Sequence, residues 1–249
     1  MTASLMLGKE LGYLPFWEDT PVTLQVAMVG TDGIVLASDK KTVRSGNDVV
    51  RESFRTTKIL VDSAQGIAIA HSGNEFSEAV AKQILYDSSP VNEKLFAAKL
   101  QSFASEVWKQ DPWQSVDRHG ELIIVSKDHL RRILHVSLGP LVIGDRILGA
   151  EARPTWIEDK VRAGDRSNPA IFFSECYYDK KPIADLVFLA AHAVLSGRRF
   201  NPLIDGLEVV KCTSEGFEQL SEASVSELKR RSDELDARIR SEILTPLFT

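Results

Sequence analysis

Thr23-Leu24-Gln25-Val26-Ala27-Met28-Val29-Gly30-Thr31-Asp32-Gly33-Ile34-Val35-Leu36-Ala37-Ser38-Asp39-Lys40-Lys41 carries the clearest structural pattern in the sequence. Leu24, Val26 and Met28 alternate with Thr23, Gln25 and Ala27, the period of a β-strand. Gly30 to Gly33 is a tight-turn signal and Ile34 to Ala37 reads as a buried strand, so residues 23–39 are predicted to form a hairpin. Outward from it, Thr42 to Ser53 reads as a polar loop. Lys58 to Val61 and Ile67 to Ala70 form a second strand pair across Asp62–Gly66. Two helices follow, one striped by Phe76, Val80 and Ile84 and the other by Leu95, Ala98, Phe103 and Val107, with a break at Ser89-Pro90. Strand signals return at 122–125, 133–136, 141–143 and 147–148, while the charged stretch 153–169 resists assignment. Ile183 to Leu195 predicts a helix buried on most sides, Leu207 to Cys212 a last strand, and Val225, Leu228, Leu235, Ile239 and Ile243 stripe a charged terminal helix. Runs of strands separated by helices favour an α+β class, an antiparallel sandwich covered by helices, over alternating βαβ units.

Composition narrows the function. The 249 residues carry 30 Lys plus Arg against 35 Asp plus Glu, a net charge of −5. A protein that wraps a phosphate backbone carries the opposite balance, so nucleic acid is not an expected partner. The longest apolar run, Leu186 to Leu195, is half the length of a bilayer span and the first ten residues lack a signal-peptide pattern, so a soluble, cytoplasmic protein is expected, with no membrane partner. Cys176 and Cys212 make neither a disulfide pattern nor a ligand spacing and read as buried thiols. His119, Glu121, His129 and His135 show no metal spacing, and Gly30 to Gly33 is followed by a strand rather than a phosphate-binding helix, so no metal and no cofactor are expected. Residues 1–22, with Leu11, Tyr13, Leu14, Phe16 and Trp17, form an N-terminal extension or propeptide whose apolar groups dock on the domain or on a neighbouring subunit; 23–249 form the domain.

The hairpin with its Asp-Gly turn, then Lys58-Ile59, then Gly66-Ile67-Ala68-Ile69-Ala70-His71-Ser72-Gly73, resembles the opening of proteasome core-particle subunits, clearly over residues 23–85 and in outline to the C-terminus. The resemblance implies the four-layer αββα sandwich of N-terminal-nucleophile hydrolases. It also implies a ring of self or related subunits that degrades intracellular protein, with an unfoldase as a further partner. Carried over residue by residue, Thr23 is the nucleophile with its own α-amine as base, Lys58 supplies positive charge at the hydroxyl, and Asp39 orients Lys58. The three are expected on neighbouring strands of one sheet, with amides near His71, Ser72 and Gly73 facing the oxyanion. His71 stands where the family has glycine and reads as a packing histidine.

Several positions depart from the family pattern. Val22 precedes the nucleophile in place of glycine and crowds the bond to be cleaved. The serine sought near Gly149 is missing, and Asn201 and Ile204 stand where an Asp and a Ser are expected. Two readings stay open: a threonine endopeptidase matured by cleavage before Thr23, and a catalytically inactive ring subunit or scaffold of the same fold. The departures lead to the expectation that residues 1–22 are retained and that peptidase activity is low.

Overall fold

The computed structural model describes residues 23–46, 49–87, 93–110, 119–144, 146–165 and 167–244. The extension 1–22 lies outside them. The architecture is α+β, with antiparallel sheets and helices. One five-stranded sheet has the order β10-β1-β2-β11-β12: Lys160–Gly164, Leu24–Val29, Ile34–Ser38, Glu208–Thr213 and Gly216–Gln219. A second runs β5-β6-β7-β8-β9: Ile59–Asp62, Ile67–Gly73, Gly120–Ser126, Ile133–Ile143 and Arg146–Ile157. β3 (Lys41–Gly46) and β4 (Val49–Arg55) make a two-stranded ribbon.

β1 and β2 are buried along their whole length because both faces are covered. Ala27, Val29, Leu36 and Val210 of the first sheet pack with Ala68, Ala70, Ile123 and Val125 of the second. The opposite face of the first sheet (Val26, Met28, Val35, Val209) packs on α4 (Ile183–Gly197) through Leu186, Ala190 and Val194, and on Leu228 of α5 (Glu222–Arg238). Ile69, Ile124 and Val136 of the second sheet pack on α1 (Glu75–Tyr86) and α2 (Glu93–Gln110) through Val80, Ile84, Leu100 and Trp108. Thr23 and Gln25, the polar members of the β1 alternation, therefore share the side of Ala27 and Val29, toward the second sheet rather than toward solvent.

Several sequence expectations change. Thr42 to Ser53 is not a loop, since β3 and β4 pair from Lys41↔Arg55 to Gly46↔Val49; a two-stranded ribbon needs no apolar stripe to satisfy its backbone, so hydrophobic periodicity does not flag it. Residues 133–136 and 141–143 are one strand, and 153–164 supplies the end of β9 and all of β10. A short helix, α3 (Ile171–Tyr177), and β12 carry no hydrophobic period long enough to signal them. The buried face of α2 is Phe96, Leu100, Phe103, Ala104 and Trp108, with Ala98 exposed, because bulky groups rather than alanines choose the face. The inner stripe of α5 is Leu228 followed by the polar Ser232 and Asp236, and a π-helical turn continues it over Ile239–Leu244. Cys212 is buried, but Cys176 is exposed. No helix among the described residues is long and apolar enough to cross a membrane.

Candidate functional site

Three strand ends meet at the site. Thr23 directly precedes β1, Asp39 directly follows β2, and Lys58 directly precedes β5. Lys58 Nζ lies 2.9 Å from Thr23 Oγ1 and 3.1 and 2.9 Å from Asp39 Oδ1 and Oδ2. Asp39 also accepts the amide protons of Leu24 (2.9 Å) and Lys41 (3.1 Å). The three side chains are brought together, but not on neighbouring strands of one sheet: Lys58 begins the second sheet and reaches across to the first. Burial pushes the Asp39 carboxyl above its usual range and the Lys58 ammonium below its own, each shift opposed by the partner's charge.

A second carboxylate stands behind the lysine. Glu208, at the start of β11, points to the same side as Val210 and Cys212, between the two sheets. Its Oε1 accepts the amide protons of Lys58 (2.5 Å) and Ile59 (2.9 Å), and Oε2 has no hydrogen-bond partner among the described residues. Glu208 is 3% exposed, and burial pushes its carboxyl up to about 7.

On the other side, the Thr23 carbonyl accepts the amide proton of Asp165 at 2.7 Å. Gly164 makes that approach feasible: a Cβ there would lie 1.9 Å from the Thr23 carbonyl oxygen, and its φ is +86°. The buried Asp165 carboxylate accepts from Ser167 Oγ (2.8 Å), Asn168 Nδ2 (3.2 Å) and Asn201 Nδ2 (3.1 Å). Asn201, read as a lost carboxylate, thus donates to one supplied from elsewhere. Gly149 lies within β9 opposite Leu141, whereas Gly164 and Asp165 adjoin Thr23. Ile204 packs with Leu24 and Ile171 in a small apolar cluster. Neither Asp165 nor Glu208 was singled out from the sequence. An acidic residue in the inward register of Leu207–Cys212 is the signal that marks Glu208, whereas Asp165 sat in the unassigned charged stretch.

The amide of His71 donates to the Lys58 carbonyl at 3.1 Å and so is committed there, not to an oxyanion. The His71 carbonyl accepts from Gln25 Nε2 at 2.7 Å. Burial pushes the His71 imidazole down to about 4, and that of His192, between the Phe173 and Phe188 rings, also to about 4. A histidine held neutral in the fold contributes stability that is complete above its ordinary value of 6.5 and is lost as pH falls toward 4. In chemical denaturation His71→Asn, which cannot take up the proton, is expected to lose less stability than wild type between pH 7 and pH 4, by a few kcal/mol, the groups common to both proteins, among them the raised Glu208 carboxyl with its opposite sign, cancelling in the difference. An unchanged slope in the variant removes His71 from the account.

His135 and Glu121 pair at 3.0 Å, and Glu121 also accepts the amide proton of Gly164 at 2.8 Å, tying this pair to the wall of the site. Among the described residues no group of three or more His, Cys, Asp or Glu side chains is placed to hold a metal ion. A groove of about 440 Å³ lined by Val187, Leu220, Ala223 and Leu228 lies on α4 and α5, away from Thr23.

No family model and no curated protein matches the sequence. Solved structures do match the fold. The chain is similar to the structure of Anbu (ancestral beta-subunit) from Yersinia bercovieri, at TM-score 0.63 and 16% identity over 88% of this chain and 97% of that one. Anbu from Hyphomicrobium sp. strain MC1 matches at TM-score 0.61 and 14% identity over 88% and 97%. The structure described as the helical assembly of the Anbu complex from Pseudomonas aeruginosa matches at TM-score 0.62 and 16% identity over 87% and 95%. The resemblance to proteasome core-particle subunits is corrected by these matches: the fold is similar to Anbu, a distinct proteasome-like family.

Proposed function

We propose that the chain is a subunit of an Anbu-like, proteasome-related assembly of like copies, built as a four-layer αββα sandwich of the N-terminal-nucleophile type, and that it is a threonine endopeptidase once residues 1–22 are removed. The observation that carries the reading is the Lys58 ammonium held 2.9 Å from the Thr23 hydroxyl and bidentate on a buried carboxylate. Threonine Oγ attacks the peptide carbonyl, its proton passes to the Thr23 α-amine, and the positive charge of Lys58 favours the developing alkoxide. The C–N bond then breaks as the leaving amine takes up the proton, and water hydrolyses the ester. The α-amine is a base only after the Val22–Thr23 bond is cut, because an amide nitrogen has essentially no basicity. The buried carboxylate of Asp165, a residue whose amide binds the Thr23 carbonyl and whose side chain accepts from Asn201, favours this reading over the inactive one that Val22, Asn201 and Ile204 suggested. The polypeptide substrate, a cytoplasmic location and an unfoldase partner belong to the same proposal.

Intact mass and N-terminal sequencing of the purified protein, with fluorogenic peptides as substrates, test it. The expected mature chain begins at Thr23, and Thr23→Ala lowers hydrolysis by about 10³-fold or more. Retention of residues 1–22 together with hydrolysis indifferent to Thr23→Ala overturns the enzyme reading. The specific observation for a non-catalytic subunit is Ile204, 1% exposed against Leu24 and Ile171 where a hydroxyl was expected.

A further inference from the structure

The Lys58 ammonium is only as well placed as the backbone that carries it. Lys58 is the last residue before β5, so the ladder of the second sheet does not begin until Ile59 pairs with Ala70. Its amide and that of Ile59 turn the other way, toward β11, and both end on one oxygen of Glu208 at 2.5 and 2.9 Å. The same strand is fixed on its other edge, since Glu208 stands opposite Ser38 in the β2–β11 register, one residue before Asp39. Glu208 is thus stapled to the segment of Lys58 through side-chain bonds and to that of Asp39 through the sheet.

We propose that Glu208 is the positioning residue of the site: its carboxylate fixes the start of β5, and with it the Lys58 side chain, and lends negative charge that keeps the ammonium protonated beside Thr23. The inference rests on the reading of Thr23 and Lys58 given above, but its structural half does not need the protein to be active.

The arrangement is unlike an ordinary structural carboxylate. Oε2 is buried with no partner among the described residues, although the residue is 3% exposed. A buried acceptor left bare favours taking up a proton, and a neutral acid still offers Oε1 to the two amides. The charged groups facing Glu208 are Lys40 beyond the end of β2 and Lys58 at the head of β5; both favour its ionised form, while desolvation opposes it. Asp39 and His71 act on the same lysine, the first by its carboxylate and the second through its amide on the Lys58 carbonyl. Glu208 loses its proton as pH rises through about 7, and the ion pair of Lys58 gains a second negative neighbour.

Two variants of the full chain separate the two halves. Glu208→Gln keeps an oxygen acceptor but no charge; Glu208→Ala removes both. By nuclear magnetic resonance on the full chain, Glu208→Gln is expected to leave hydrogen-exchange protection at the Lys58 and Ile59 amides within about threefold, while the Lys58 Cε titration midpoint falls by about one pH unit, a tenfold change in proton affinity. Glu208→Ala is expected to lower protection of those two amides by at least about tenfold. A purely structural Glu208 would move the exchange rates and leave the lysine midpoint in place, which overturns the charge role. Unchanged protection in Glu208→Ala overturns the staple. Where the processed protein hydrolyses peptide, the acid limb of kcat belongs to the Thr23 α-amine and stays in place, while the alkaline limb, set by loss of the Lys58 proton, is expected to move down by about one pH unit in Glu208→Gln with KM steady; an alkaline limb that does not move overturns the proposal. If no peptide is hydrolysed while the magnetic-resonance results hold, it is the peptidase reading that fails and the positioning role that stands.

Discussion

Lys58→Met leaves the Asp39 carboxylate without its counter-charge in a site where both side chains are almost fully buried, and the fold is expected to lose about 3 kcal/mol. The loss stays at the low end because Asp39 keeps the amide donors of Leu24 and Lys41, and because burial already favours its protonated form. The Thr23 hydroxyl loses its only described donor, so any peptidase activity is expected to fall by about 10²–10³-fold, the scale seen when one preorganised donor to a developing oxyanion is removed. Urea denaturation of Lys58→Met, Asp39→Asn and the double variant forms a cycle. The double variant, with neither charge buried, is expected to recover part of the stability lost in either single one. A double variant as unstable as the sum of the two singles would mean that the pair is not coupled in solution.

Gly164→Ala is expected to be comparably severe for a different reason. The new Cβ would meet the Thr23 carbonyl oxygen at 1.9 Å and the Thr23 carbonyl carbon at 2.7 Å, both backbone atoms that a rotamer change cannot move, and the φ of +86° disfavours any side chain. Overpacking and backbone strain together are expected to cost about 3–5 kcal/mol. If the chain relieves the clash by shifting β10 away from Thr23, the Asp165 amide leaves the Thr23 carbonyl, and a displacement of about 1 Å at the nucleophile is enough to cost about 10²-fold in rate. Gly144→Ala is the matched control. Its φ is also positive, at +60°, but nothing lies within 4 Å of its Cβ position, so only about 1 kcal/mol is expected. Thermal melts that place the two variants together would show that the contact with Thr23 relaxes at little cost.

Thr23, Asp39 and Lys58 are marked by the resemblance, and it can be carried over to them because each adjoins a strand whose pattern is strong: Leu24–Val29, Ile34–Ser38 and Ile59–Asp62 are all recognisable by period and composition. What the pattern could not convey is which sheet each strand joins. Hairpin logic pairs strands that are neighbours in sequence, so Lys58 was expected beside Asp39 in one sheet, whereas it heads the other. Asp165 was missed for the same reason at longer range. It abuts Thr23 only because β10 pairs with β1 (Leu24↔Gly164), and its own segment is too charged and too short in apolar residues to read as a buried strand. The Asn201 comparison shows the limit of reading by position. Counting along the chain finds an amide where a carboxylate is expected, and the space around Asp165 contains both.

The order of strands in the first sheet also bears on when the protein can fold. β1 and β2 emerge from the ribosome well before their outer neighbours: β1 has β10 on one side and β2 has β11 on the other, with Ser38 paired to Glu208, roughly 170 residues later. At about 5–20 residues per second of synthesis, the two strands wait on the order of 10–35 s for those neighbours. During that interval Val26, Met28, Val35 and Leu36 belong to an isolated hairpin that is marginal in water, and they are sites for chaperone capture or mispairing. The Thr23 carbonyl finds the Asp165 amide, and Lys58 finds Glu208, only after β10 and β11 have been made. The site therefore assembles only after β11 has been made, when the strands of both sheets up to β11 are available to enclose it.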